Sequence, residues 1–142
     1  MIDDEYAFLD TNILIYSVSN DVAKKQRAIE LLGNKNVVIS TQIISESINV
    51  MRRKLNYDYS QIRRITDKFV EKTILYPITH DTIRRALNIA ETYGYSYYDS
   101  QVIASALEND CTILYSEDMQ HEQKIESHLK IVNPFAKLSV KY

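Results

Sequence analysis

The sequence predicts an α/β fold with a mainly parallel sheet covered by helices on both faces. Two observations predict it. Short apolar or β-branched runs alternate with helical patterns along the whole chain. Those runs are bounded by turn and cap residues, such as Gly33 behind one helical pattern and Gly94 behind another. No shift in composition marks a boundary, so residues 1–142 read as one domain.

Tyr6 to Asp10 reads as a short buried strand, and helical signals follow from Thr11 to Val18. Asp21 to Leu32 is the next helix, with Ala28, Ile29, Leu31 and Leu32 apolar. Asn36 to Ser40 holds the β-branched run Val37-Val38-Ile39. Two helical patterns then run over Gln42–Leu55 and Tyr59–Glu71, the second with apolar Ile62, Ile65, Phe69 and Val70. Thr73 to Pro77 is a short strand closed by proline. Asp81–Tyr93 is a helix, and Ser96 opens another that runs to Asn109. Thr112 to Tyr115 is a strand, Ser116 to Ser127 is irregular or weakly helical, and His128 to Val132 is a last strand.

Composition narrows the function. The chain is 45% apolar and 25% charged, which fits a globular class rather than disorder. The acidic N-terminus lacks a signal-peptide pattern, and no apolar run reaches the roughly 20 residues of a membrane span. A single cysteine, Cys111, suits a reducing, cytoplasmic setting and reads as a small buried side chain. With two glycines in separate segments, no glycine-rich phosphate loop can form. His121 and Glu122 do not begin a zinc H-E-x-x-H motif, because position 125 is isoleucine. The three histidines read as surface residues.

Four acids stand beside core positions, where a carboxylate costs stability unless something compensates. Asp10 ends the first strand and Asp118 follows Thr112–Tyr115. Both lie beyond the C-terminal ends of strands, where open parallel sheets place their sites. Each also suits a helix cap. Glu46 falls at the edge of the stripe Ile44, Ile48, Met51 and Leu55, and would be an ordinary surface glutamate beside Arg53 if taken alone. Asp99 lies centrally on the face marked by Val102, Ile103, Ala106 and Leu107, although Ser96-Tyr97-Tyr98-Asp99 also matches a capping box. Together, three or four carboxylates suit one or two Mg²⁺ or Mn²⁺ ions, which prefer oxygen ligands and activate water.

The net charge is −2, yet Arg52, Arg53, Lys54, Arg63, Arg64, Lys68 and Lys72 crowd one stretch. That stretch is either a solvated helix face or a phosphate-contacting stripe. Among eleven tyrosines, most read as core-edge residues with hydroxyls in water. Tyr97, beside Asp99, is the best candidate to stack on an unpaired base.

The residues around the acids resemble the PIN domain family, and within it VapC-type toxins. Phe8-Leu9-Asp10-Thr11-Asn12 resembles the opening strand and turn. Ser40 through Ser47 resembles the segment that presents the second acid, Tyr97-Tyr98-Asp99-Ser100 the third, and Ile113 through Gln120 the fourth. Ile131-Val132-Asn133-Pro134-Phe135 resembles a common ending. One departure is His121-Glu122-Gln123, where related chains often carry glycine.

The resemblance implies a three-layer α/β/α sandwich and Mg²⁺- or Mn²⁺-dependent endoribonuclease activity. It implies Asp10, Glu46, Asp99 and Asp118 as metal-binding catalytic acids, with Thr11, Asn12 and Ser116 as supporting polar residues. Glu117 would share the work of Asp118. Possible RNA contacts are Arg52, Arg53, Lys54, Arg63, Arg64 and Tyr97. The implied partners are RNA, a small antitoxin protein covering the early helices, and a second copy of the chain. A non-catalytic PIN-like module binding RNA or protein, or a housekeeping RNA-processing nuclease, are the alternative readings.

Overall fold

The computed structural model describes residues 5–137. Its strands are β1 (Tyr6–Leu9), β2 (Val37–Ser40), β3 (Ile74–Tyr76), β4 (Cys111–Tyr115), β5 (Lys124–Ile125) and β6 (Leu129–Val132). Its helices are α1 (Thr11–Tyr16), α2 (Val22–Leu32), α3 (Thr41–Arg53), α4 (Tyr59–Lys72), α5 (His80–Tyr93) and α6 (Tyr97–Glu108). The strands form one sheet in the order β3-β2-β1-β4-β6-β5. All neighbours are parallel except β5 and β6.

Burial follows from this order. All four residues of β2 are buried, as expected for a parallel strand with both faces covered. The edge strand β3 is short and leaves Ile74 and Leu75 exposed. The helices begin on side-chain caps: Asp21 on Lys24 N–H, Asp58 on Gln61, Thr79 on Thr82 and Ser96 on Asp99. Gly94 closes α5 with φ 81, a left-handed conformation that only glycine adopts without penalty. Cys111 is fully buried, and burial pushes its thiol up to about 12, far from a reactive thiolate.

The sheet order places the site. The chain leaves β1 outward to β2 and β3, then returns through α5 and α6 to pair β4 with the other side of β1. The direction of winding therefore reverses between β1 and β4, and open parallel sheets form ligand crevices at such a point.

Several expectations are corrected. The segment from Ser116 to Ser127 takes the irregular form rather than the weakly helical one, with one short strand that was not expected. Lys124 and Ile125 form β5, antiparallel to β6. Glu122, Glu126 and Ser127 take φ of 69°, 50° and 69°, which no helix accommodates. Glu122 sits within the stretch where related chains were expected to carry glycine. Helix α6 has no single buried face, because Ser100 through Leu107 are all buried. Small residues (Ser100, Ala104, Ser105, Ala106) let its surroundings close on every side. Asp99 is thus half-buried in the first turn, not central to an apolar stripe. In α3 the buried line is Ile43, Ser47 and Met51, one residue round from the predicted stripe. Val70 of α4 is 40% exposed.

Candidate functional site

Three strand ends and one helix start supply the site. Asp10 directly follows β1 and caps α1, with Oδ1 accepting from Thr11 N–H at 2.8 Å. The β1–β4 register pairs Leu9 with Tyr115, so Ser116 comes beside Asp10 and donates its hydroxyl to Oδ2 at 2.9 Å. Helix α3 starts straight after β2 and carries Glu46 just over one turn in. Asp118 lies in the turn after β4, and Ser116 accepts Met119 N–H there, leaving the Asp118 carboxylate free for other partners. Asp99 sits in the first turn of α6, with its N–H on Ser96 Oγ at 3.2 Å.

These four acids line one open pocket of about 410 Å³ together with Thr11, Asn12, Ser45, Asn49 and Val50. Neutral donors hold them. Thr11 Oγ1 donates to Glu46 Oε1 at 2.7 Å. Asn12 Nδ2 donates to Asp118 Oδ2 at 2.7 Å. Gln42 Nε2 donates to Glu46 Oε2 at 3.1 Å. Among the described residues, no lysine, arginine or histidine lines the pocket.

Burial, and after it the crowding of like charges, disfavours the ionised form of these acids. Asp10 is pushed up to about 6, first by burial and then by Asp99 and Glu46, against the hydrogen bonds from Thr11 and Ser116. Asp99 is also raised, first by burial, then by the Asp118 and Glu46 charges. Among the described residues, however, no three His, Cys, Asp or Glu side chains stand assembled as a ready metal-ligand set. The carboxylates face one pocket but are held on neutral donors. The four carboxylates offer oxygen donors alone, which fits a hard divalent cation.

The other sequence-predicted residues divide. Thr11 and Asn12 line the pocket, and Ser116 stands behind it. Glu117 does not line it. It accepts from Tyr16 Oη, at the C-terminal end of α1, at 2.6 Å and from Lys24 Nζ of α2 at 2.5 Å. Arg52, Arg53, Lys54, Arg63 and Arg64 are exposed on α3, its C-cap and α4, outside the pocket wall. Arg52 lies over the Tyr59 ring at 4.9 Å.

The tyrosine reading needs correction. The hydroxyls of Tyr57, Tyr93, Tyr95 and Tyr97 are engaged with Val18, Glu126, Gln123 and Gln101 rather than left to water. Tyr97 is tied down, whereas its neighbour Tyr98 exposes 64% of its surface. Sequence reasoning also missed Gln42, Ser45 and Asn49. Gln42, Glu46 and Asn49 follow i, i+4, i+7 spacing on α3, and that periodicity could have revealed their shared face.

The chain matches the PIN domain family model over residues 7–126. No curated protein matches the sequence. Among solved structures, a toxin–antitoxin complex from Klebsiella pneumoniae aligns with a TM-score of 0.69 at 23% identity, covering 90% of this chain and 97% of that one. VapBC2 from Rickettsia felis, bound to a promoter DNA fragment, aligns at 0.64 and 16%, covering 89% and 96%. The sarcin–ricin loop cleaving toxin VapC20 of Mycobacterium tuberculosis aligns at 0.62 and 17%, covering 79% and 89%. At these identities the likeness speaks for the fold, and the sheet, the order of its elements and the family match agree: the chain belongs to the PIN domain family.

Proposed function

We propose that this protein is a metal-dependent endoribonuclease and the toxin of a type II toxin–antitoxin pair. The observation that carries the reading is the convergence of Asp10, Glu46, Asp99 and Asp118 on one pocket that, among the described residues, no lysine, arginine or histidine lines. Family membership and the solved toxin–antitoxin complexes of similar fold support it.

In this reading Asp10, Glu46, Asp99 and Asp118 hold one or two Mg²⁺ or Mn²⁺ ions. A bound ion would lower the pKa of a water and offset charge on the phosphate. The chain's own residues prepare for it. Ser116 and Thr11 N–H keep Asp10 oriented, and Asn12 orients Asp118. Exposed Arg52, Arg53, Lys54, Arg63 and Arg64 draw in the RNA backbone. Exposed Tyr98, rather than Tyr97, offers the ring beside Asp99.

The antitoxin would cover the early helices. Val22 and Ile29 on α2 are 78% and 49% exposed, and a groove beside Ile29 is lined by Val18, Leu32, Ile65 and Phe69. Lys68 and Lys72 border that groove, which favours a partner segment with an apolar stripe and acidic flanks. A homodimer and a cytoplasmic location belong to the same reading.

The test is cleavage of single-stranded RNA with Mn²⁺, with chelator, and by Asp99→Asn. Cleavage by the native protein that chelator and Asp99→Asn both abolish is the expected result. Equal activity in the two proteins would sink the assigned site. Growth arrest on expression, relieved by Asp10→Asn, separates a toxin from a housekeeping nuclease. One observation favours a second reading, a non-catalytic PIN-like module: among the described residues, no three acids are assembled for a metal. That reading requires calorimetry to find no Mn²⁺ binding.

A further inference from the structure

We infer that Gln42 is a positioning residue that locks Glu46 to the Asp99-bearing turn of α6. The inference deepens the proposed nuclease reading and rests on it.

Gln42 lies in the first turn of α3 and is only 8% exposed. Its Nε2 donates to Glu46 Oε2 at 3.1 Å, one turn along its own helix. The same Nε2 donates to the Tyr98 carbonyl at 3.1 Å, from the residue just before Asp99. One amide nitrogen therefore cross-links α3, which leaves β2, to the first turn of α6, which follows α5. Its two protons are well matched to two acceptors.

The orientation of the amide follows from chemistry. Turning it over would bring Oε1 against a carboxylate and a carbonyl, both acceptors. In the observed orientation Oε1 is buried with no hydrogen-bond partner. A buried acceptor without a partner is unfavourable, and an apolar side chain at this position would avoid it. The cost is understandable if the two Nε2 bonds matter for something besides packing. Glu46 is then gripped at both oxygens, by Thr11 from α1 and by Gln42 from α3. Neither grip adds a charge to the pocket, so the carboxylate stays available to a cation. Groups that orient metal-binding carboxylates in this way usually tune affinity.

The experiment compares the native protein with Gln42→Met, which keeps length and apolar bulk, and with Gln42→Glu, which puts acceptors against Glu46 and Tyr98. Thermal midpoint, Mn²⁺ dissociation constant by calorimetry, and single-stranded RNA cleavage against Mn²⁺ concentration are measured for each. Gln42→Met should fold with an unchanged or higher midpoint yet bind Mn²⁺ about tenfold more weakly. Its cleavage rate should recover at high Mn²⁺, with the KM for RNA unchanged. Gln42→Glu should be weaker still. A thermal midpoint that shifts while Mn²⁺ affinity and cleavage per folded molecule stay native would reduce Gln42 to a packing role and overturn the inference. A native protein that neither binds Mn²⁺ nor cleaves RNA would instead overturn the nuclease reading, and this inference with it.

Discussion

The Ser116 hydroxyl donates to Asp10 Oδ2 at 2.9 Å, closing the seam between β1 and β4. This contact joins the end of the first strand to the residue that follows the fourth. It opposes the burial that raises Asp10 to about 6. A hydrogen bond to a carboxylate favours its charged form. In Ser116→Ala, Asp10 should therefore titrate above 6, and the acid limb of the RNA-cleavage pH profile should move to higher pH. Carboxyl NMR titration of the metal-free protein reads the same shift directly. An unmoved titration would mean that the hydroxyl does not act on Asp10.

Asp10 also makes metal-free stability depend on pH in an unusual direction. Its folded pKa, about 6, lies above its ordinary value of 3.8. Between those values the folded chain binds more protons than the unfolded one. This group's contribution is therefore present below pH 3.8 and is lost as pH rises through 6, by about 3 kcal/mol in all. Asp10→Asn should flatten that slope and raise the thermal midpoint of the metal-free protein at pH 7, while abolishing cleavage. Thermal melts in chelator across this range check it, and a native melting curve that rises from pH 4 to 7 with no flattening in Asp10→Asn contradicts it.

Asn12 and Glu117 should separate by what they hold. Asn12 orients Asp118, so Asn12→Ala should weaken Mn²⁺ binding by about tenfold or more. Glu117 is engaged by Tyr16 and Lys24, away from the pocket. Glu117→Gln should then leave Mn²⁺ affinity within about twofold, well below the 10–100-fold losses typical of groups supporting a metal. Asp118→Asn should remove most of the affinity. Calorimetry on the three variants decides, and equal losses in Glu117→Gln and Asp118→Asn would put Glu117 back in the site.

The basic stretch should act on RNA and not on the metal. Replacing Arg52, Arg53 and Lys54 with alanine should raise the KM for RNA and flatten its dependence on salt, with a slope lower by roughly 1 for each lost phosphate contact. Mn²⁺ affinity should stay native. Binding isotherms at several salt concentrations measure this, and an unchanged slope would make the cluster an ordinary solvated surface.

How much of this was legible beforehand depends on distance along the chain. Asp10 after β1 and the caps at Asp21 and Ser96 are encoded by adjacent residues and were readable there. Glu46 was placed at the edge of a stripe, and the structure puts it beside the buried line of α3, on a face shared with Gln42. Asp99 reached the site for a different reason from the one its spacing suggested. Periodicity detects a helix with one wet face, and α6 is buried all round from Ser100 to Leu107, so its apolar positions could not report direction. In the loop after β4 the residue types left irregular and weakly helical forms both open, and the positive φ at Glu122, Glu126 and Ser127 goes with the irregular one.

The sequence by itself determined the alternation of strands and helices, the helix starts, and the placing of Asp10 and Asp118 just beyond strands. Those features depend on neighbours within a turn or two. Only the tertiary structure decided that Asn12 reaches Asp118 and that Ser116 reaches Asp10, each across 106 positions. It alone turned Glu117 toward Lys24 and set Gln42 between Glu46 and Tyr98. The physical reason is that strand order and register, which no local pattern encodes, decide which distant side chains share one pocket.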